Sequence, residues 1–136
     1  MSADYKNWMP KEMIYGTLAE GVSNIVFKQG DACNLEFADE TFDAVSSNYV
    51  YHNIPSKNRQ ELLLETLRTL KKGGVFVIHD IMSKSKYGNM DAFIKQLKDM
   101  GYEEVKLIDT TSGMFMNKTE ATWMGLSGSK ILIGKK

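Results

Sequence analysis

The sequence holds two histidines, His52 and His79, and a single cysteine, Cys33. An imidazole titrates near neutrality, so His52 is a candidate general base for taking a proton from a hydroxyl or an amine. A lone histidine is more often a structural hydrogen-bonding group, and the pair His79-Asp80 carries the same two readings. Two histidines this far apart make no argument for a metal site, and one thiol allows neither an internal disulfide nor a thiolate cluster. Asn48 and Tyr49 close a strand-like run, at the kind of carboxyl edge where open α/β sheets bind ligands. The alternative for Tyr49 and Tyr51 is packing, the usual task of aromatics at strand ends. Asp31 follows Gly30 after a short apolar run, which by itself is turn chemistry.

The elements that would position these residues are readable from periodicity. Ile25-Val26-Phe27 reads as a strand followed by a turn at Gly30, and Phe42 to Val50 as a second. Upstream, Pro10 to Glu20 has a helical stripe of Met13, Ile14, Thr17 and Leu18, ended by Gly21. Ser56 is a candidate cap for a helix over Lys57 to Lys72, with Leu63, Leu67 and Leu70 in register and Gly73-Gly74 as its stop. Val75 to Ile78 then forms an unbroken apolar run, the pattern of a parallel strand covered on both faces.

Asn89 caps a further helix whose stripe is Met90, Phe93, Ile94, Leu97 and Met100, closed by Gly101. Val105 to Ile108 and Lys130 to Ile133 are the last two strands. No clear helix lies between them, so an antiparallel join is expected. The stretch between them carries Met114, Phe115 and Met116, an adaptable apolar group suited to a substrate wall, an oligomer contact or plain core filling.

Composition places the chain among ordinary soluble domains. Of 136 residues, 43% are hydrophobic and 25% charged, with 17 basic side chains against 17 acidic ones. A balance of that kind gives no global electrostatic footprint for nucleic acid or an anionic membrane. No apolar run approaches membrane-spanning length, and the N-terminus lacks the apolar core of a signal peptide. The expectation is one domain over 1–136, cytoplasmic, with no nucleic-acid or membrane partner.

Several short motifs narrow the fold. Gly30-Asp31-Ala32, Phe37, Thr41-Phe42-Asp43-Ala44-Val45 and Asn48-Tyr49-Val50-Tyr51-His52-Asn53-Ile54 follow one another. Leu67-Arg68-Thr69-Leu70-Lys71-Lys72-Gly73-Gly74 and Val75-Phe76-Val77-Ile78 come next. In this order they resemble the middle and C-terminal part of class I S-adenosylmethionine-dependent methyltransferases, most strongly over Val22 to Ile81. The resemblance implies an α/β fold: a Rossmann-like sheet of order 3-2-1-4-5-7-6, truncated at the N-terminus. Strands equivalent to 3, 4, 5, 6 and 7 are expected here, the last of them antiparallel. The resemblance maps strand 3 to Ile25 to Lys28 and strand 4 to Phe42 to Ser47.

The resemblance also implies S-adenosylmethionine as cofactor. It places Asp31 on the adenine amine, the backbone of Ala32 on the ring, and Asn48 and Tyr49 beside the methionine part and the acceptor. Asp4 would sit past strand 2, on the ribose hydroxyls. The implied activity is methyl transfer to a small-molecule acceptor, with His52 as the catalytic candidate. No Gly-x-Gly-x-Gly arrangement precedes Gly30, so the loop that lets backbone approach the cofactor is missing from this sequence. Without its strand, strand 4 has an unpaired edge, and exposed edges invite pairing with another chain. Either a homo-oligomer that completes the sheet or a rearranged packing of the remaining strands is therefore expected. The alternative is a non-catalytic truncated homologue, or a fragment of a longer enzyme, acting as an assembly or partner subunit.

Overall fold

A computed structural model describes residues 24–56 and 58–136. The chain divides into two compact units, Met1–Glu36 and Phe37–Lys136. In the first, Asn24 to Gly30 is irregular, followed by a tight turn closed by a bridge between Asp31 and Asn34. Ile25 to Lys28 is therefore not a strand. In the implied sheet order that strand pairs only with strand 2, and among the described residues none offers it a ladder. The helix expected over Pro10 to Glu20 lies outside the described residues, as does Asp4.

The second unit is a four-stranded sheet with helices between its strands. Strand β1 is Phe42–Asn48, followed by a 3₁₀ turn at Tyr51–Asn53; helix α1 is Arg59–Arg68 and β2 is Leu70–Ile81. The short helix α2 (Lys84–Tyr87), helix α3 (Met90–Asp99), strand β3 (Glu104–Asp109), helix α4 (Lys118–Trp123) and strand β4 (Ser129–Lys135) complete it. The strand order is β1-β2-β4-β3. β1 runs parallel to β2, while β4 is antiparallel to both β2 and β3. This is the expected 4-5-7-6 segment with its reversed last strand. Among the described residues β1 pairs on one side only.

Alternation along β2 sets the core. Phe76, Ile78 and Asp80 are buried, while Val75 and Val77 on the opposite face are 50% and 37% exposed. The buried face packs under Leu63 and Leu67 of α1 and Phe93 and Leu97 of α3. Helices α1 and α3 each begin on an asparagine: Asn58 accepts from the Gln60 backbone N–H, and Asn89 from that of Ala92. The first of these corrects the expected cap at Ser56, since Asn58 presents its side-chain oxygen directly before the first helical residue.

The expected stop at Gly73-Gly74 also moves. Helix α1 ends at Arg68, and the glycines lie inside β2, where the pairing slips between Phe42↔Leu70 and Ala44↔Val75. Gly73, at φ +79°, allows that irregularity, and at Gly74 a Cβ would stand 2.6 Å from Leu70 Cδ1 and 2.8 Å from the Asp43 carbonyl. The end of α1 is held instead by the Lys136 ammonium, which donates to the carbonyls of Leu67 and Leu70. A cation at a helix C-terminus also meets the negative end of the dipole. A fourth helix forms where none was expected: Asn117 and Glu120 bond each other's backbone N–H in a capping box at the start of α4. No helix among the described residues is long and apolar enough to cross a membrane.

Candidate functional site

β1, β2 and β3 all end at one edge of the sheet, where β4 begins, and the sequence-predicted residues of the second unit gather there. Asn48, the last residue of β1, is exposed. Tyr49 follows in a left-handed conformation, φ +54°, and its backbone N–H donates to the His79 carbonyl at 2.7 Å. That reversal lays the Tyr49 ring beside the His79 ring, with centroids 4.5 Å apart. The Tyr49 hydroxyl meets His79 Nε2 at 3.1 Å and Ser129 Oγ at 2.6 Å. His79 Nε2 is also 2.9 Å from Ser129 Oγ and 3.4 Å from Thr110 Oγ1. Burial lowers the pKa of His79 from its ordinary value, against the smaller opposing pull of Asp80.

His52 has a different neighbourhood. It sits in the 3₁₀ turn, where the carbonyls of Tyr51, His52 and the following Ile54 accept from the Arg59 guanidinium. Its backbone N–H donates to Asp80 Oδ2 at 2.8 Å, and its Nδ1 lies 2.5 Å from Asp80 Oδ1. Asp80, wholly buried, also accepts from the Ile81 N–H at 2.8 Å and the Tyr87 hydroxyl at 2.5 Å. Burial, then the bond to Asp80 and its charge, hold Tyr87 far above the usual phenol range, so its hydroxyl keeps the proton it donates to Asp80.

Asp80 is the residue that sequence reading left undecided. It sits at the end of a long apolar run, where a carboxylate is costly unless paired. That cost was the available signal.

Asp31 belongs to the first unit and is exposed. Its Oδ1 accepts from the Cys33 backbone N–H at 2.8 Å, and its carbonyl accepts from Asn34 N–H at 3.1 Å. The carboxylate therefore serves the turn through one oxygen. Burial first, then the charge and hydrogen bond of Asp31, raise the pKa of the Cys33 thiol. Ala32 beside it is partly buried.

Residues 10–78 match the family described as "Methyltransferase domain". The chain belongs to the class I S-adenosylmethionine-dependent methyltransferase family. It is 30% identical over 115 residues to the Escherichia coli uncharacterized protein YafE, covering 85% of this chain and 50% of that one. A demethylmenaquinone methyltransferase of Thermobifida fusca is 41% identical over 63 residues, 46% of this chain and 25% of the relative. The chain thus spans at most half the length of these relatives. The fold resembles that of the YcgJ protein from Bacillus subtilis, with a TM-score of 0.58 at 15% identity, over 93% of this chain and 76% of that one.

The family's cofactor is S-adenosylmethionine. Asp31 has an acceptor oxygen beyond the one its turn uses, suited to an exocyclic amine, and Asn48 is exposed at the carboxyl edge. The close backbone approach that a glycine-rich first turn supplies has no counterpart in this sequence. Among the described residues, no group of three or more His, Cys, Asp or Glu could hold a metal ion.

Proposed function

We propose that this chain takes part in S-adenosylmethionine-dependent methyl transfer to a small-molecule acceptor in the cytoplasm, with His52 as the general base. The observation that carries the reading is the placement of His52 at the carboxyl edge of β1 and β2, its Nδ1 engaged by the buried carboxylate of Asp80. Direct displacement at a sulfonium asks the protein mainly to align the partners and exclude water, and no nucleophilic side chain or metal is needed. The likeness to a demethylmenaquinone methyltransferase supports a small-molecule acceptor. Asp31 and Ala32 would hold the adenine, and Asn48 and Tyr49 the methionine part, though the Tyr49 hydroxyl is within hydrogen-bond distance of Ser129 and His79. Titration calorimetry of the purified chain with S-adenosylmethionine and S-adenosylhomocysteine tests the reading. Saturable micromolar binding supports it, and its absence refutes it for the isolated chain.

One observation favours a second reading. Among the described residues the outer edge of β1 is unpaired, and Val75 and Val77 on the neighbouring strand are half exposed. A free strand edge beside apolar surface is a template for another chain. The chain would then be a subunit that completes its sheet by self-association, catalytic only when assembled or serving as a non-catalytic partner. Light scattering across a concentration series separates the two: a monodisperse monomer that binds cofactor excludes the second.

A further inference from the structure

We propose that Asp80 is a positioning residue that locks His52 as its Nδ1–H tautomer, leaving Nε2 as the proton acceptor. The acceptors this fits are those that must lose a proton on methylation, such as hydroquinones, enols and primary or secondary amines. The proposal rests on the reading of His52 as the base, and its first test is independent of that reading.

Four groups converge on the Asp80 carboxylate: the backbone N–H groups of His52 and Ile81, the Tyr87 hydroxyl, and His52 Nδ1. The two backbone N–H groups can only donate, and the Tyr87 hydroxyl donates to Oδ2, so the carboxylate accepts from all three. Nδ1 must then carry a proton. A neutral imidazole protonated at Nδ1 has its lone pair at Nε2, and among the described residues nothing hydrogen-bonds that nitrogen.

The lock is rigid for two reasons. Asp80 is held by backbone at both ends of its bonding, from the turn after β1 and from β2 itself, and by Tyr87 of α2. The turn carrying His52 is in turn fixed by Arg59 through the carbonyls of Tyr51 and His52 and that of Ile54 just after it. His79 makes the contrast. Its Nε2 faces the hydroxyls of Tyr49, Ser129 and Thr110, so whichever tautomer it adopts, that nitrogen is engaged inside the protein. Two histidines that look alike in sequence are thereby assigned different tasks.

The proton accounting then selects the acceptor class. The acceptor atom's electron pair forms the bond to the methyl carbon, and the carbon–sulfur bond breaks with its pair going to sulfur. The acceptor's proton passes to His52 Nε2, giving an imidazolium against the Asp80 carboxylate, and leaves to solvent from a side chain that is 17% exposed. A thioether or tertiary amine has no proton to lose and gains nothing from this arrangement.

Nitrogen-15 NMR of the labelled full chain reads the tautomer directly. The expected result is a neutral His52 ring protonated at Nδ1, with a downfield Nδ1–H resonance. A ring protonated at Nε2, or a mixture like free imidazole, overturns the proposal without any variant. Asp80→Asn, checked for native amide dispersion, is expected to release the ring to a mixture. An unchanged Nδ1–H tautomer and resonance also overturns it.

Turnover separates the positioning role from a merely structural one. Asp80→Asn is expected to slow methylation of a hydroquinone probe by about 10²- to 10⁴-fold, the usual range for lost general base catalysis, and to leave a thioether probe unchanged. Equal losses on both probes mean that Asp80 only supports the fold. Full hydroquinone turnover by His52→Gln sinks the base reading and with it the acceptor class, while the tautomer lock stands or falls on the NMR alone.

Discussion

The Tyr49 hydroxyl lies 2.6 Å from Ser129 Oγ, although 80 residues separate the two in the chain. The phenol follows the end of β1, the serine opens β4, and His79 of β2 bonds both, at 3.1 Å and 2.9 Å. Three strands are thus tied together at the edge where the candidate site lies. The left-handed backbone at Tyr49 is what aims the ring back along the sheet. A non-glycine residue in that region costs free energy unless its surroundings hold it there.

Replacing Tyr49 with Phe removes this tie and keeps the ring. Ser129 retains His79 as a partner, so no buried group is left orphaned. The expected loss is about 1 kcal/mol, the usual net value of one intramolecular hydrogen bond. Urea denaturation followed by circular dichroism measures it. A midpoint equal to that of the unmodified chain would mean the tie adds nothing net to stability.

Histidine 79 gives the fold a pH dependence. Burial favours its neutral form, so the folded chain takes up this proton only below the ordinary value of 6.5. In the window between 6.5 and the lower folded value, the unfolded chain holds more protons, and stability rises with pH. The contribution is complete above 6.5 and is lost as pH falls through the folded value. Urea midpoints across this window are expected to climb with pH, and His79→Gln to flatten the climb. An identical slope in the variant would place the pH dependence elsewhere.

Gly134 is expected to tolerate no side chain. It lies in β4 between β2 and β3, opposite Phe76 and Val105. A Cβ there would stand 2.5 Å from Phe76 Cζ and also collide with the Glu104 carbonyl. Neither can retreat easily, because one is a buried core ring and the other is backbone in the adjoining strand. Gly134→Ala is expected to destabilise by about 1–3 kcal/mol or more, the range for overpacked cores. A thermal melt tests this, and a variant as stable as the parent would show that the Phe76 ring can turn aside.

What could be read in advance was what local pattern decides. The stripes of α1 and α3 and the apolar run at Val75 to Ile78 marked their elements, and the observed strand order is the one the family resemblance implied. Features set by distant partners were not legible. The Gly73-Gly74 pair looks like a helix stop in isolation, but the slip between Phe42 and Ala44 makes it part of a strand. Ile25 to Lys28 has strand composition, yet a strand needs a ladder. His52 and His79 are equivalent in sequence, and only contacts 28 and 50 residues away, with Asp80 and Ser129, tell them apart. Helix α4 did leave a local signal, the Asn117 to Glu120 spacing, hidden in a polar and Met-rich stretch.

Asp31 allows its two tasks to be separated by a pair of substitutions. Its Oδ1 closes the turn on the Cys33 N–H, a bond that an asparagine carbonyl reproduces. Asp31→Asn therefore keeps the turn and replaces the second carboxylate oxygen with a donor. Were that oxygen the acceptor for the adenine amine, the swap would set donor against donor. A hydrogen bond to a charged group is worth about 1.5–3 kcal/mol, so affinity for S-adenosylhomocysteine is expected to fall by roughly 10- to 150-fold. Asp31→Ala loses the turn bond as well, and should weaken binding at least as much. Calorimetry on both variants reads the result. Wild-type affinity in Asp31→Asn would make this carboxylate a turn residue alone. Thiol alkylation gives a second readout, since removing the Asp31 charge lowers the Cys33 pKa and speeds its reaction at a given pH.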